Sequence, residues 1–182
     1  MQAFRPGWAA DALGAPEPIQ GWLFDSGSLT RRLTLASAHR FNVTPLHEGW
    51  QTLRDDECQA LGLATGSEGW VREVFLRGRG EAWVFARSVA GREALQADNF
   101  ALAALGNRSL GELLFNDTAF VRRPIEVCHY PRPWLPRAVA REGLWARRSR
   151  FDRGAFSVLV MEVFLPALWQ ALAAPEENPG CT

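Results

Sequence analysis

The chain predicts an α+β fold, a single domain of one antiparallel β-sheet with helices packed to one side or at its ends. Three observations carry this. The stretches "WVREVFLR" and "EAWVFARSV" flank "GRG", and "LWARRSRF" and "FSVLVMEVFL" flank "DRGA"; each is two runs of β-branched and aromatic residues around a glycine-containing turn, the pattern of a hairpin. Helical segments are grouped before and between the hairpins instead of alternating with every strand, which argues against a parallel sheet. No repeat or linker divides the 182 residues, of which 47% are hydrophobic, enough for one core. The expected domain is therefore 1–182, with its core at about 20–168 and both termini loosely ordered.

In chain order, "PEPIQGWLF" and "SLTRRLTLAS" read as two helices, the second with Ser28 as N-cap. "RFNVTPLHEGWQTL" alternates as a strand, and its Pro45 suits an edge or a bulge. "DDECQALGL" is a short helix with acidic residues at its start, where the macrodipole favours them. After the first hairpin, "SLGELLF" forms a short helix with Ser109 as a candidate cap, and "AFVRRPIEV" a strand. "CHYPRPWLPR", with three prolines, is a loop. The second hairpin and the apolar-poor tail "PEENPGCT" complete the chain.

Composition excludes several functions. All twenty basic residues are arginine, so Schiff-base chemistry, a pyridoxal-phosphate anchor and a phosphate-loop lysine are ruled out. Twenty acidic residues balance them, which argues against a nucleic-acid or anionic-membrane partner. Cys58, Cys128 and Cys181 are widely spaced without a C-x-x-C pair, and His39, His47 and His129 lack ligand spacing. Neither a disulfide framework nor a metal site is expected. With no signal-peptide core or membrane-length apolar run, the expected location is the cytoplasm.

The informative residues are charges inside strands. In "VLVMEVFL", Glu162 shares its face with Val158, Val160 and Phe164, and the opposite face is also apolar. A carboxylate there costs several kcal/mol unless compensated, of order ~2–7 for a polar group alone. Arg72 shares its face with Trp70, Val74 and Leu76. The chain thus holds one buried-looking anion and one buried-looking cation, ninety residues apart. They either pair with each other or line a pocket in which Arg72 clamps a carboxylate and Glu162 handles a hydroxyl or a proton. Alternation leaves both readings open. The "ARRSR" cluster reads as split between a solvated face and supporting ion pairs.

These residues also carry a family resemblance. "GLWARRSRF", a short turn and "MEVFLP", with "WVREVFLRGRGEAWVFARSV", "LGELLF", "SLTRRL" and "HEGW" upstream, closely resemble bacterial chorismate lyase (chorismate–pyruvate lyase) over roughly residues 20 to 168. That resemblance implies a cytoplasmic monomer, without cofactor or metal, that makes 4-hydroxybenzoate and pyruvate from chorismate for ubiquinone synthesis. It implies helices over an enclosed ligand cavity. It maps the ring-carboxylate clamp onto Arg72, the contact to the 4-hydroxyl onto Glu162, and main-chain donors onto Leu110 and Leu29. The family's best-known member has methionine where this chain has Leu29, a change a main-chain contact survives.

The enolpyruvyl carboxylate needs a cation of its own, and Arg87, beside Phe85 and Trp83 on the partner strand, is the candidate. The segment "VCHYPRPWLPRAVARE" and the tail are longer than the family pattern, which leaves the lid open to question. The same fold also implies an alternative, a non-catalytic binding domain for a small aromatic acid like the effector domains of some transcription regulators. Those usually follow a winged-helix segment, for which this chain shows no pattern.

Overall fold

The structure, a computed structural model, describes residues 6–12, 14–97 and 107–174, without the side chains of Ala97 and Glu112. Residues 175–182, expected to fray, and Cys181 lie outside them. Six helices and one seven-stranded antiparallel sheet are present among the described residues. The order is α1 (Glu17–Leu23), α2 (Leu29–Ala36), β1 (Phe41–Thr52), α3 (Asp55–Leu61), β2 (Glu68–Gly78), β3 (Glu81–Gly91), α4 (Arg92–Ala97), α5 (Leu110–Asn116), β4 (Val121–Arg122), β5 (Glu126–His129), β6 (Trp145–Arg153), β7 (Phe156–Phe164) and α6 (Pro166–Ala173). The sheet runs β1-β2-β3-β7-β6-β4, with β5 also paired to β6.

Both hairpins form, and their turns set every face. Arg79 and Gly80 carry φ of 55° and 87°, the positive pair a two-residue hairpin turn demands. Pairing starts Gly78↔Glu81 and Arg77↔Ala82, then shifts so that Leu76 meets Val84. Trp83 is the unpaired residue of that bulge. A Cβ on Gly78 would lie 2.3 Å from its ring, so glycine is what lets the buried indole cross the strand. A second bulge in β1, between Pro45 and His47, skips Leu46 and brings Glu48 opposite Arg72. The edge position and the irregularity both suit Pro45. The second hairpin has no shift, and its register runs from Arg153↔Phe156 to Arg147↔Glu162 and Ala146↔Val163.

Even-numbered residues of β2, β3 and β7 face α1, α2, α4, α5 and α6. Trp22, Leu33, Val84, Phe164 and Leu168 form the core beneath α1, α2 and α6, and Leu110, Leu114, Phe151 and Val158 that beneath α5. Odd-numbered residues face the other way, where α3 packs Cys58 on Val71, Val89 and Leu159. The helices are therefore not confined to one side. The segment after β5 makes two short 3-10 turns and packs Tyr130, Leu135 and Leu144 on Phe75 and Phe85. The lengthened stretch thus covers the face opposite the larger helical layer.

Three local expectations change. "AFVRRPIEV" is two short strands divided at Arg123–Ile125, because Pro124 has no N–H for a ladder. Helices α4 and α6 were unforeseen, α6 opening with Pro166 at a first-turn position where proline is tolerated. Residues 6–12 are anchored: Ala9 bridges Val127, and Trp8 Nε1 donates to Asp56 at 3.0 Å. No helix among the described residues is long and apolar enough to cross a membrane.

Candidate active site

A small cavity lies between the even-numbered face of the sheet and the first turns of α2 and α5. Its floor is Arg72, Val74 and Leu76 of β2, Ala86 and Ser88 of β3, and Val160 and Glu162 of β7. Its roof is Thr30, Ser109, Leu110 and Gly111. The walls are almost wholly buried, Arg72 at 3% exposed and Leu110 at 4%. Thr30 Oγ1 and Ser109 Oγ share a hydrogen bond of 2.6 Å that ties the start of α2 to the start of α5. Ser109 precedes α5 as expected, yet its side chain makes this latch instead of a cap. Ser28 does cap α2, its Oγ accepting from Arg31 N at 3.3 Å.

Arg72 and Glu162 both line the cavity, and neither is the other's partner. Arg72 Nε donates to Glu48 Oε1 at 2.6 Å, and its Nη2 to the Arg108 carbonyl at 3.0 Å. Arg147 Nε donates to Glu162 Oε2 at 2.6 Å. Arg147 is 1% exposed and its Nη1 also donates to the carbonyls of Trp22 and Asp25, at 3.0 and 2.8 Å. It thereby satisfies acceptors at the C-terminal end of α1, where helix carbonyls lack partners. Of the "ARRSR" expectation the ion pairs form, Arg147 with Glu162 and Arg148 with Asp56 and Glu126, while the solvated face is corrected, since Arg147 and Arg148 are both buried. Nearby, burial pushes the Asp25 carboxyl up, but the Gly27 N–H and the Arg32 guanidinium outweigh it and hold Asp25 below the usual carboxylate range.

Leu110 is the first residue of α5 and Leu29 the first of α2, so both main-chain N–H groups belong to first turns without intrahelical acceptors. The Leu110 side chain lines the cavity, while that of Leu29 is packed in the core beneath α2.

Arg87 is a correction. It lies on the opposite face, 4% exposed, with Nε and Nη2 on Glu57 at 2.6 and 3.1 Å and Nη1 on Glu73 at 2.8 Å. Burial works against its charge, but the two carboxylates outweigh it and raise its basicity above the ordinary arginine value. The reason is the Trp83 bulge. A regular ladder counted from Gly78↔Glu81 would set Arg87 opposite Arg72, whereas the shifted register sets Ser88 there, and a one-residue slip turns every later side chain over.

The residues missed were Glu48, Arg147, Thr30 and Ser88. Arg147 was within reach, because counting back from the turn at Gly154 and Ala155 pairs it with Glu162. Glu48 was not, since its register depends on the β1 bulge. On the far face, burial pushes the Cys128 thiol up to about 12, which leaves it inert near neutral pH. No group of three potential ligands for a metal occurs among the described residues.

Comparison with known proteins bears on the family of the chain. The family model described as "Chorismate lyase" matches residues 7–173. A "Probable chorismate pyruvate-lyase 2" of Pseudomonas fluorescens strain Pf0-1 is 71% identical over 157 residues, 86% of either chain. A "Probable chorismate pyruvate-lyase" of Pseudomonas aeruginosa strain PAO1 is 64% identical over 161 residues, 88% of this chain and 90% of that one. Among solved structures, the effector domain of PhnF from Mycobacterium smegmatis superposes with a TM-score of 0.53 at 14% identity, over 78% of this chain and 90% of that one; at that identity the likeness is one of fold alone. With nearly the whole chain matched by the family model and close relatives at this identity, the chain belongs to the chorismate lyase family.

Proposed function

We propose that the protein is a lyase that converts chorismate to 4-hydroxybenzoate and pyruvate. The observation that carries this reading is the placement of Arg72 and Glu162 in one buried cavity, each already oriented by its own partner. Two strand spacings and two residues of rise separate their Cα atoms by roughly 12 Å. The two side chains reach inward from those positions; the cavity between them is about 20 Å³ as it stands, so a ring with a carboxylate at one end and an oxygen at the other fits once the roof at Thr30, Leu110 and Gly111 lifts.

In this reading Arg72 holds the ring carboxylate. Its Nε is held by Glu48 and its Nη2 by the Arg108 carbonyl, so a ligand carboxylate takes over part of a fork that the protein already orients. The main-chain N–H groups of Leu110 and Leu29 add donors, and Glu162 Oε1 accepts from the C4 hydroxyl. The reaction breaks the C3–O bond and removes the hydrogen at C4. The C4–H electron pair enters the ring, and the departing enolpyruvate gains a proton at its methylene to become pyruvate. Aromaticity supplies the driving force, so the residues need only hold one conformation, exclude water and assist the proton. The apolar walls at Val74, Leu76, Ala86 and Val160 supply the dry surroundings. The same reading makes the protein a cytoplasmic monomer, independent of a cofactor, that supplies 4-hydroxybenzoate to ubiquinone synthesis.

The test is to incubate purified protein with chorismate and quantify both products. Equimolar 4-hydroxybenzoate and pyruvate at a rate proportional to enzyme is the expected result. Tight binding of 4-hydroxybenzoate with no turnover of chorismate would identify a binding module instead.

A further inference from the structure

Arg122 is a half-buried guanidinium on the cavity side of the sheet, and among the described residues no carboxylate pairs with it. Its Nε donates to Ser149 Oγ at 2.9 Å and its Nη1 to the Ser26 carbonyl at 3.1 Å. The rings of Phe115 and Phe151 lie 5.7 and 5.4 Å from it. Burial and the neighbouring Arg147 both disfavour its charge, with Glu162 and Asp25 only partly offsetting them. A half-buried cation held in place by neutral acceptors stands ready for an anion.

Position says which anion. Ser149 pairs with Val160, a residue of the cavity floor, and Phe151 belongs to the same core cluster as the cavity-lining Leu110 and Val160. Arg122 therefore lies outside the cavity lining, on the same face one strand beyond β6, on the Glu162 side and away from Arg72. Of the sheet arginines on this face, Arg72 is ion-paired with Glu48 and Arg147 with Glu162. Chorismate carries two carboxylates and 4-hydroxybenzoate only one. We infer that Arg122 binds the carboxylate of the enolpyruvyl arm, the group that Arg87 cannot reach from the opposite face. This rests on the lyase reading above and deepens it. Arg122 then distinguishes substrate from retained product, because its ionic contact leaves with pyruvate.

The experiment compares Arg122→Met, Arg122→Gln and Arg122→Lys with the unaltered enzyme. It measures chorismate kinetics, the Kd of 4-hydroxybenzoate and thermal stability. Expected are a fall in kcat/KM of roughly 10- to 100-fold, carried mainly by KM, for Met and Gln, with partial recovery in Lys. The Kd for 4-hydroxybenzoate should stay within about twofold, which also certifies a folded site. An unchanged KM, or equal weakening of substrate and product, overturns the assignment. Gln keeps hydrogen-bonding capacity without charge, so it decides the matter if Met does not fold. Absence of turnover in the unaltered protein would instead sink the lyase reading, and is seen before any variant is made.

Discussion

Arg72 and Glu162 stand on one face of the sheet, two strands apart and diagonally offset by one pleat, with Ser88 and Ala86 between them. Each meets a different counter-charge, Glu48 for the first and Arg147 for the second. Their cost of burial is thus met by the protein itself, and a small cavity lined by Val74, Leu76, Ala86 and Val160 lies beside them.

If the two groups act as proposed, their variants separate binding from turnover. Arg72→Ala should lose the carboxylate clamp and drop kcat/KM by about 10²-fold or more. Glu162→Gln should keep the Kd for 4-hydroxybenzoate closer to that of the unaltered protein while kcat falls steeply. Steady-state kinetics with product titration reads both, and near wild-type kcat/KM in both variants contradicts the site.

Arg147 positions Glu162 and closes the end of α1. Arg147→Met should destabilise by about 3 kcal/mol, since it strands a largely buried carboxylate. The double variant with Glu162→Leu should recover part of that loss while remaining inactive. Denaturant unfolding of the single and double variants checks the coupling, and purely additive losses would contradict it.

Arg87 serves the far face. Arg87→Met should cost about 3–5 kcal/mol by leaving Glu57 and Glu73 without their counter-charge, yet leave KM for chorismate within about twofold at a temperature where the variant is folded. A large rise in KM with little loss of stability would return Arg87 to the site.

Acid should weaken the fold through its lowered carboxylates. For Asp152, burial raises the carboxyl, but Arg123, Ser157 and Arg150 outweigh it and hold it below the usual range, as the Gly27 N–H and Arg32 do for Asp25. A carboxyl with a lowered folded value contributes stability that is fully present above its unfolded value, about 3.9 for aspartate, and lost as pH falls through the folded one. Tm should therefore decline below about pH 4 on this account, and the combined variant Asp25→Asn, Asp152→Asn should decline less steeply over that interval. Identical slopes would show that other groups dominate.

Amino-acid order alone determined most of the elements and two of the inward-facing charges. Period-two alternation put Arg72 and Glu162 on apolar faces, glycine turns marked both hairpins, and Pro45 marked an irregular edge strand. The second hairpin is regular, so even the Arg147–Glu162 pair was countable from its turn. What only the tertiary structure decided was which faces look the same way. Two single-residue bulges, at Leu46 and Trp83, shift the register by one. The first brings Glu48 to Arg72 and the second turns Arg87 away from the cavity. A bulge is a relation between two strands, set here by how the buried Trp83 ring fits across Gly78, so neither strand read by itself places it.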